Sequence, residues 1–289
     1  VRGTAGQVTV GAPFYNKVTG PLLLLLLLFM AIGPLLPWRK ATPENMRRGL
    51  LRPLAAAGLV GIVSFVLTGK VSAALAFAVC AAVVFAVAVE LYRGTRAKRR
   101  ATGYTWVHAL IHLVDTNHGR YGGYLVHVGI ALVALGVAGS TLLKVDAQAT
   151  VRLGQPMSAG AFQATPLRVR TGTEPGIGPS WTATVLITKD GRPVATLTPR
   201  LVVFESQNQA VAQIALRSTP LQDIYVTLSA QPGPDLKTVR LHVLVNPLLW
   251  WIWAGGLVVI LGGVIAFTPS LHERRAAVAV AAGVPATAR

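Results

Sequence analysis

The chain has 289 residues, 53% of them hydrophobic and only 13% charged, with a mean hydropathy of +0.55. A water-soluble chain of this length needs more charge to cover its surface, so much of this surface faces lipid. A net charge of +17 could suit nucleic acid, but the Lys and Arg residues bunch beside apolar runs, as membrane-topology determinants do, and nucleic acid is not an expected partner. The single cysteine, Cys80, lies inside an apolar run and allows no disulfide framework. The opening stretch, VRGTAGQVTVGAPFYNKV, is no signal peptide and begins at Val1, so a truncated or split chain is expected.

Five apolar runs are long enough to cross a hydrocarbon core, at about 18–36, 51–67, 71–92, 122–143 and 247–267. Only Gly69 and Lys70 separate the second from the third, which predicts a tight helical hairpin. Arg39, Lys40, Arg47, Arg48 and Arg52 follow the first run, Arg93, Arg96, Lys98, Arg99, Arg100 and Arg120 the third, and Arg274 and Arg275 the fifth. Placing these basic segments in the cytoplasm satisfies the positive-inside rule along one alternating path, with the N-terminus and residues 144–246 outside. Between the third and fourth runs, Trp106, Leu110, Leu113 and Val114 stand at helical spacing and predict an amphipathic helix near 102–116 on the inner surface.

The segment 144–246 is large enough for a modest core and reads as strands. Trp181, Ala183, Val185 and Ile187 alternate with Thr182, Thr184, Leu186 and Thr188, and Lys189-Asp190-Gly191-Arg192 supplies hairpin chemistry before 193–197. Further strands are predicted at 201–204, 211–216, 224–228 and 239–245. The expected fold is thus an α-helical integral membrane protein of about five transmembrane helices with one extracytoplasmic all-β domain, a small barrel or sandwich. The expected domains are 1–143, 144–246, and 247–289 with the last span and a basic cytoplasmic tail.

The spans hold almost no ionisable groups, and Glu90 and Lys70 sit where they can reach the interface. His127 is the exception, about a turn and a half inside the fourth run. Ala131, Ala134 and Ala138 share its stripe, which would leave room for a flat macrocycle. The same pattern suits a histidine hydrogen-bonded to a neighbouring helix, with the alanines allowing close packing. A haem iron would require the second ring nitrogen of such a histidine to be held in place. His108 and His112, four apart with Asp115 nearby, make a poor metal site and read as a solvated face. His118 belongs to the basic loop, His242 to an exposed strand position and His272 to the tail. Trp250, Trp251 and Trp253 read as an interfacial belt, with a wall for a hydrophobic ligand as the alternative. Gly255, Gly256, Gly262 and Gly263, repeating at seven residues, predict a close helix–helix seam.

Four stretches in order, VGAPFYNKV from Val10, YGGYLVHVGIALVALGVAGS from Tyr121, RSTPLQDIYVTL from Arg217 and NPLLWWIWAGGLVVILGGVIA from Asn246, together resemble the C-terminal part of the CcmF/NrfE family, haem lyases of bacterial System I cytochrome c maturation. The resemblance implies a bacterial inner (plasma) membrane protein with several spans, its β domain on the periplasmic side. It implies that haem is taken from the chaperone CcmE and bonded through thioethers to the CxxCH cysteines of apocytochrome c, which CcmH-type subunits present. It also implies a structural haem b between two intramembrane histidines, and His127 matches the second of these iron ligands. The family's tryptophan-rich WWD segment, its two outer haem-binding histidines and the first intramembrane ligand have no counterpart here, and His242 matches none of them. A cytochrome c haem lyase component is therefore expected, inactive without the complementary N-terminal part of CcmF. The alternative is a non-catalytic structural subunit that scaffolds the maturation complex through its outer domain. A secondary transporter fits poorly, because internal repeats, broken helices and mid-membrane carboxylates are missing from the sequence.

Overall fold

The computed structural model describes residues 12–33, 43–204, 206 and 209–269. Part of the VGAPFYNKV stretch, Arg39 and Lys40, His272, and Arg274 and Arg275 in the tail lie outside the described residues. The helices are α1 (Ala12–Ile32), α2 (Pro43–Thr68), α3 (Val71–Thr102), α4 (Trp106–Thr116), α5 (His118–Leu142) and α6 (Trp250–Phe267). Among the described residues four helical segments are long and apolar enough to span a membrane: Leu51–Thr68, Val71–Thr102, His118–Leu142 and Trp250–Phe267. Val18–Ile32 of α1 is a shorter apolar helix, and the far end of the run expected at 18–36 lies outside the described residues.

The α2–α3 turn follows from glycine. Gly69 takes a φ of 66°, which L side chains rarely adopt, and its N–H closes on the Phe65 carbonyl at 2.8 Å. Helix α3 then carries on past the apolar run at 71–92 to Thr102, because the following Arg, Lys and Ala residues favour helix once it leaves lipid. It stops at Gly103, left-handed at φ 76°, whose N–H caps the Arg99 carbonyl. That cap is why the amphipathic helix begins at Trp106 rather than near 102. Thr105 caps it by accepting the His108 N–H, and Tyr92 of α3 stacks on Trp106 with centroids 5.6 Å apart. Ala31, Ala57, Ala82, Val83 and Ala131 form a small buried core shared by α1, α2, α3 and α5.

Helices α5 and α6 approach closely on glycine. A Cβ on Gly129 would stand 2.8 Å from the Gly255 carbonyl oxygen, and one on Gly262 would stand 2.8 Å from that of Gly122. Only Gly255 and Gly262 of the predicted seam are in it; a Cβ on Gly256 or Gly263 meets nothing within 4 Å. Their partners Gly122 and Gly129 repeat at the same seven-residue interval on α5. Without a hydrophobic force between helices in lipid, such backbone proximity is a principal source of association.

Residues 136–252 form a second compact unit, dominated by strands. One antiparallel sheet has the order β1 (Val145–Arg152), β10 (Thr238–Pro247), β9 (Gln222–Leu228), β8 (Ala215–Ser218). The other has the order β2 (Met157–Ala159), β3 (Phe162–Glu174), β4 (Gly178–Lys189), β6 (Arg200–Phe204), β7 (Gln209–Gln213), and β5 (Arg192–Leu197) also pairs with β4. Ala183, Val185 and Ile187 of β4 face Ile224, Val226, Leu228, Leu241 and Val243 across a dry core, so the domain is a sandwich. The alternation predicted in β4 is the one that fills this core. The Asp190-Gly191 turn has φ of 50° and 74°, the left-handed pair that a tight hairpin demands. The strand expected at 211–216 is divided between β7 and β8, which belong to different sheets.

Strands β1 to β3 escape the sequence reading for a physical reason. The buried side of β1 is Val145, Ala147, Ala149 and Val151, too small to signal a core strand, and β3 contains Pro166. Proline is tolerated there because the β3–β4 register shifts between Pro166 and Arg168.

The seam yields a clean test. Gly129→Ala or Gly262→Ala should lower thermal stability in detergent by about 1–3 kcal/mol, the usual effect of overpacking. Gly256→Ala and Gly263→Ala should leave the melting curve unchanged.

Candidate functional site

The N-terminal turns of α5 are fixed by charge. Arg120 Nη2 lies 3.1 Å from Glu90 Oε2 on α3, and Arg120 Nε donates to the Tyr124 hydroxyl at 2.9 Å. The same guanidinium lies over the rings of Tyr121 and Tyr124. Glu90 also pairs with Arg93 at 3.7 Å. This network ties α5 to α3 at the rim of the span, about two turns before His127. The sequence hinted at it through Glu90, the acidic residue at the end of the third run, but the partner became evident only in three dimensions.

His127 is half-buried, and its Nδ1 lies 2.7 Å from the Gly123 carbonyl oxygen. A carbonyl only accepts, so Nδ1 carries the proton and donates it. In the neutral imidazole the lone pair then lies on Nε2, and among the described residues that atom has no hydrogen-bond partner. A metal-binding histidine is typically oriented in this way through its other ring nitrogen. A Cβ on Gly123 would meet nothing within 4 Å, so the face bearing Gly123 and His127 is open at that turn. A histidine held in this way has the donor chemistry that would suit a haem iron, with Nε2 as the atom that would hold it. The small-residue stripe divides in two: Ala131 is 1% exposed and packs in the helical core, whereas Ala134 and Ala138 are half-buried. Close helix packing is the role of Ala131.

The other histidines are engaged differently. His112 Nδ1 lies 3.1 Å from the Thr116 hydroxyl, and Tyr104 tilts against both His108 and His112. Asp115 turns to His118 at 3.5 Å, and His118 Nδ1 meets the Thr268 carbonyl at 2.9 Å, so these residues join α4 to α5 and to the end of α6. Among the described residues no group of three His, Cys, Asp or Glu could hold a metal ion. Cys80 is buried in α3. Trp250 and Trp251 meet edge to face at 5.6 Å.

In the β domain, His242 projects from β10 and its Nε2 lies 2.7 Å from Asp146 Oδ1 on the neighbouring strand, while Lys144 lies 3.1 Å from Asp146 Oδ2. Asp223 is buried within the RSTPLQDIYVTL stretch, where Ser218 Oγ donates to it at 2.6 Å and the Tyr225 hydroxyl at 3.4 Å. Burial first, and the Asp223 charge second, push the Tyr225 phenol above its ordinary value. This carboxylate fixes the β8–β9 hairpin, beside which the Leu248 N–H donates to the Leu221 carbonyl at 2.9 Å.

Residues 142–247 match the family model described as the CcmF C-terminal β-sandwich. The chain is CcmF-like. It is 27% identical over 266 residues to the cytochrome c-type biogenesis protein CcmF of Pseudomonas fluorescens, covering 91% of this chain and 38% of that one. It is 25% identical over 280 residues to CcmF of Escherichia coli, covering 93% and 39%, and 25% identical over 292 residues to the biogenesis protein CycK of Rhizobium meliloti, covering 99% and 40%. A solved structure of the cytochrome c haem lyase CcmF superposes with a TM-score of 0.70 at 25% identity, covering 90% of this chain and 41% of that one. The chain thus spans about two-fifths of the length of the CcmF proteins it matches.

The hydrogen bond from His242, then that from Lys144, hold the Asp146 carboxyl below its ordinary value. A carboxyl depressed in the folded state stabilises above its unfolded value, and the contribution is lost as pH falls through the folded one. Asp146→Asn should therefore lower the denaturation midpoint slightly at neutral pH. The difference from the unaltered chain should close in acid, below the usual carboxylate range, when unfolding is followed by near-ultraviolet circular dichroism.

Proposed function

We propose that this chain is the membrane-anchored C-terminal portion of a cytochrome c haem lyase, in which His127 supplies one axial ligand of an intramembrane b-type haem. The observation that carries the reading is the 2.7 Å bond from His127 Nδ1 to the Gly123 carbonyl, which directs a neutral Nε2 lone pair out of α5. The likeness to CcmF proteins over nearly the whole chain supports it.

His127 would hold the iron, while the Gly123 carbonyl would keep the ring in one tautomer and raise its basicity. The Glu90–Arg120–Tyr124 network holds the turn that carries Gly123, so the ring cannot slide with a fraying helix end. Bound there, a haem b supplies one-electron redox chemistry within the membrane. A second histidine to complete the site would come from another chain or from the complementary N-terminal part of CcmF. The β-sandwich stands on the periplasmic side of the bacterial inner membrane, in keeping with the basic flanks of α2 and α3. There it meets apocytochrome c, the haem chaperone CcmE and CcmH-type subunits that present the substrate thiols. The thioether-forming thiols are the substrate's own, which suits the burial of Cys80.

Co-expression with the complementary N-terminal part, followed by optical spectra of the purified complex, tests the reading. His127→Ala should lower the b-type Soret absorbance per protein by roughly tenfold or more, as loss of a haem ligand does. An undiminished band in that variant would remove His127 from the site. Persistence of complex assembly without any haem dependence would favour the scaffolding role.

A further inference from the structure

The α2–α3 hairpin carries a second site that the haem reading does not use. Beside the basic end of α3 lies a cavity of about 380 Å³, lined by Arg52 of α2 and by Arg93, Arg96 and Arg100 of α3. The three α3 arginines lie at i, i+3 and i+7, so one stripe of the helix points them together, and Arg52 faces them across the hairpin. Four like charges around one cavity repel unless an anion joins them. Among the described residues the only ion pair at this cluster is Arg93 with Glu90 at 3.7 Å, and Glu90 is shared with Arg120 at 3.1 Å. Arg52, Arg96 and Arg100 therefore converge without a carboxylate among the described residues.

The cavity is also two-faced. Its floor is formed by Ala88 and Val89, within the apolar run, and Tyr92 stands between them and the arginines. Tyr92 is braced by its stack on Trp106, which carries Arg99 over its ring at 5.2 Å. Tyrosine and tryptophan settle at the headgroup level of a bilayer, so this pair marks the boundary between hydrocarbon and water. The volume falls in the roughly 300–1,000 Å³ range of small-molecule sites. Guanidinium forks match phosphate oxygens in geometry as well as charge.

We propose that this cavity binds the phosphate of an anionic phospholipid, its headgroup among Arg52, Arg93, Arg96 and Arg100 and its first acyl carbons against Ala88 and Val89. The lipid neutralises the cluster and cements the α2–α3 hairpin at its basic end. Basic pockets between transmembrane helices take anionic headgroups in this manner. A soluble phosphate would satisfy the arginines but leave the apolar floor wet, so the lipid is the better occupant.

Native mass spectrometry of the full chain in detergent, mixed with dioleoyl-phosphatidylglycerol or dioleoyl-phosphatidylcholine, tests this. The anionic lipid should be retained, and the zwitterionic one lost, at equal activation energy. Arg96→Gln and, on the other helix, Arg52→Gln should each lower retention about fivefold, the effect of one juxtamembrane charge. Lys98→Gln removes a charge at the same depth outside the cavity and should leave retention unchanged; circular dichroism confirms that each variant stays helical. Equal retention of both lipids, or an equal loss in Lys98→Gln and Arg96→Gln, would overturn the proposal in favour of a diffuse basic surface. Displacement of phosphatidylglycerol by inorganic phosphate alone would overturn it in favour of a free-anion site. None of these readouts involves haem, so the outcome is independent of His127.

Discussion

Hydrocarbon offers no partner to a backbone N–H or C=O, and that constraint organises everything else in this chain. Residues 51–142 and 250–267 are helical almost without interruption, and breaks occur only at Gly69, around Gly103 and at Asn117. Each break is closed by a backbone hydrogen bond, as at Gly69 to Phe65, Gly103 to Arg99 and Asn117 to Val114. Among the described residues all strands lie in the segment between α5 and α6. Because β1 pairs with β10 from Val145↔Val245 to Arg152↔Thr238, the first and last strands of that segment run side by side. Within this unit Gly136 and Gly139 of α5 come against Ile252 and Leu248.

The same constraint gives His127 its meaning. In water an imidazole may rotate and exchange protons at little cost. In a span it must use its hydrogen-bonding groups or bear the desolvation penalty of a buried polar atom. Donation to Gly123 satisfies one nitrogen and fixes the ring against its own helix. The glycine seam with α6 and the alanine packing of Ala131 then hold α5 on two sides. Charge is kept to the rim, where Glu90, Arg120 and the arginines of the α2–α3 hairpin lie within reach of water or headgroups.

Much of this was legible in one dimension because the two signals involved are local. Long apolar runs bounded by arginine identify spans whatever their neighbours, and the period-two alternation of Trp181 to Thr188 identifies a half-buried strand. The type of the Asp190-Gly191 turn followed from residues that tolerate positive φ. The oddity of His127 likewise needed only the knowledge that ionisable groups are scarce in lipid. Strands built from small residues, such as β1, and a strand broken by Pro166 gave no such signal, since their burial is conferred by partners distant in sequence.

The sequence by itself determined the membrane character, the β nature of residues 144–246, the exceptional histidine and the likeness to CcmF. Tertiary structure alone decided which glycines of α6 form the seam, since Gly255 and Gly256 differ only in the direction each faces. It decided that Ala131 packs while Gly123 stays open, and that Glu90 answers Arg120 across 30 residues. It also gathered Arg52 with Arg93, Arg96 and Arg100 around one cavity. The reason is common to all four: composition and period reveal what a residue must avoid, whereas its neighbour is set by how two helices rotate against each other.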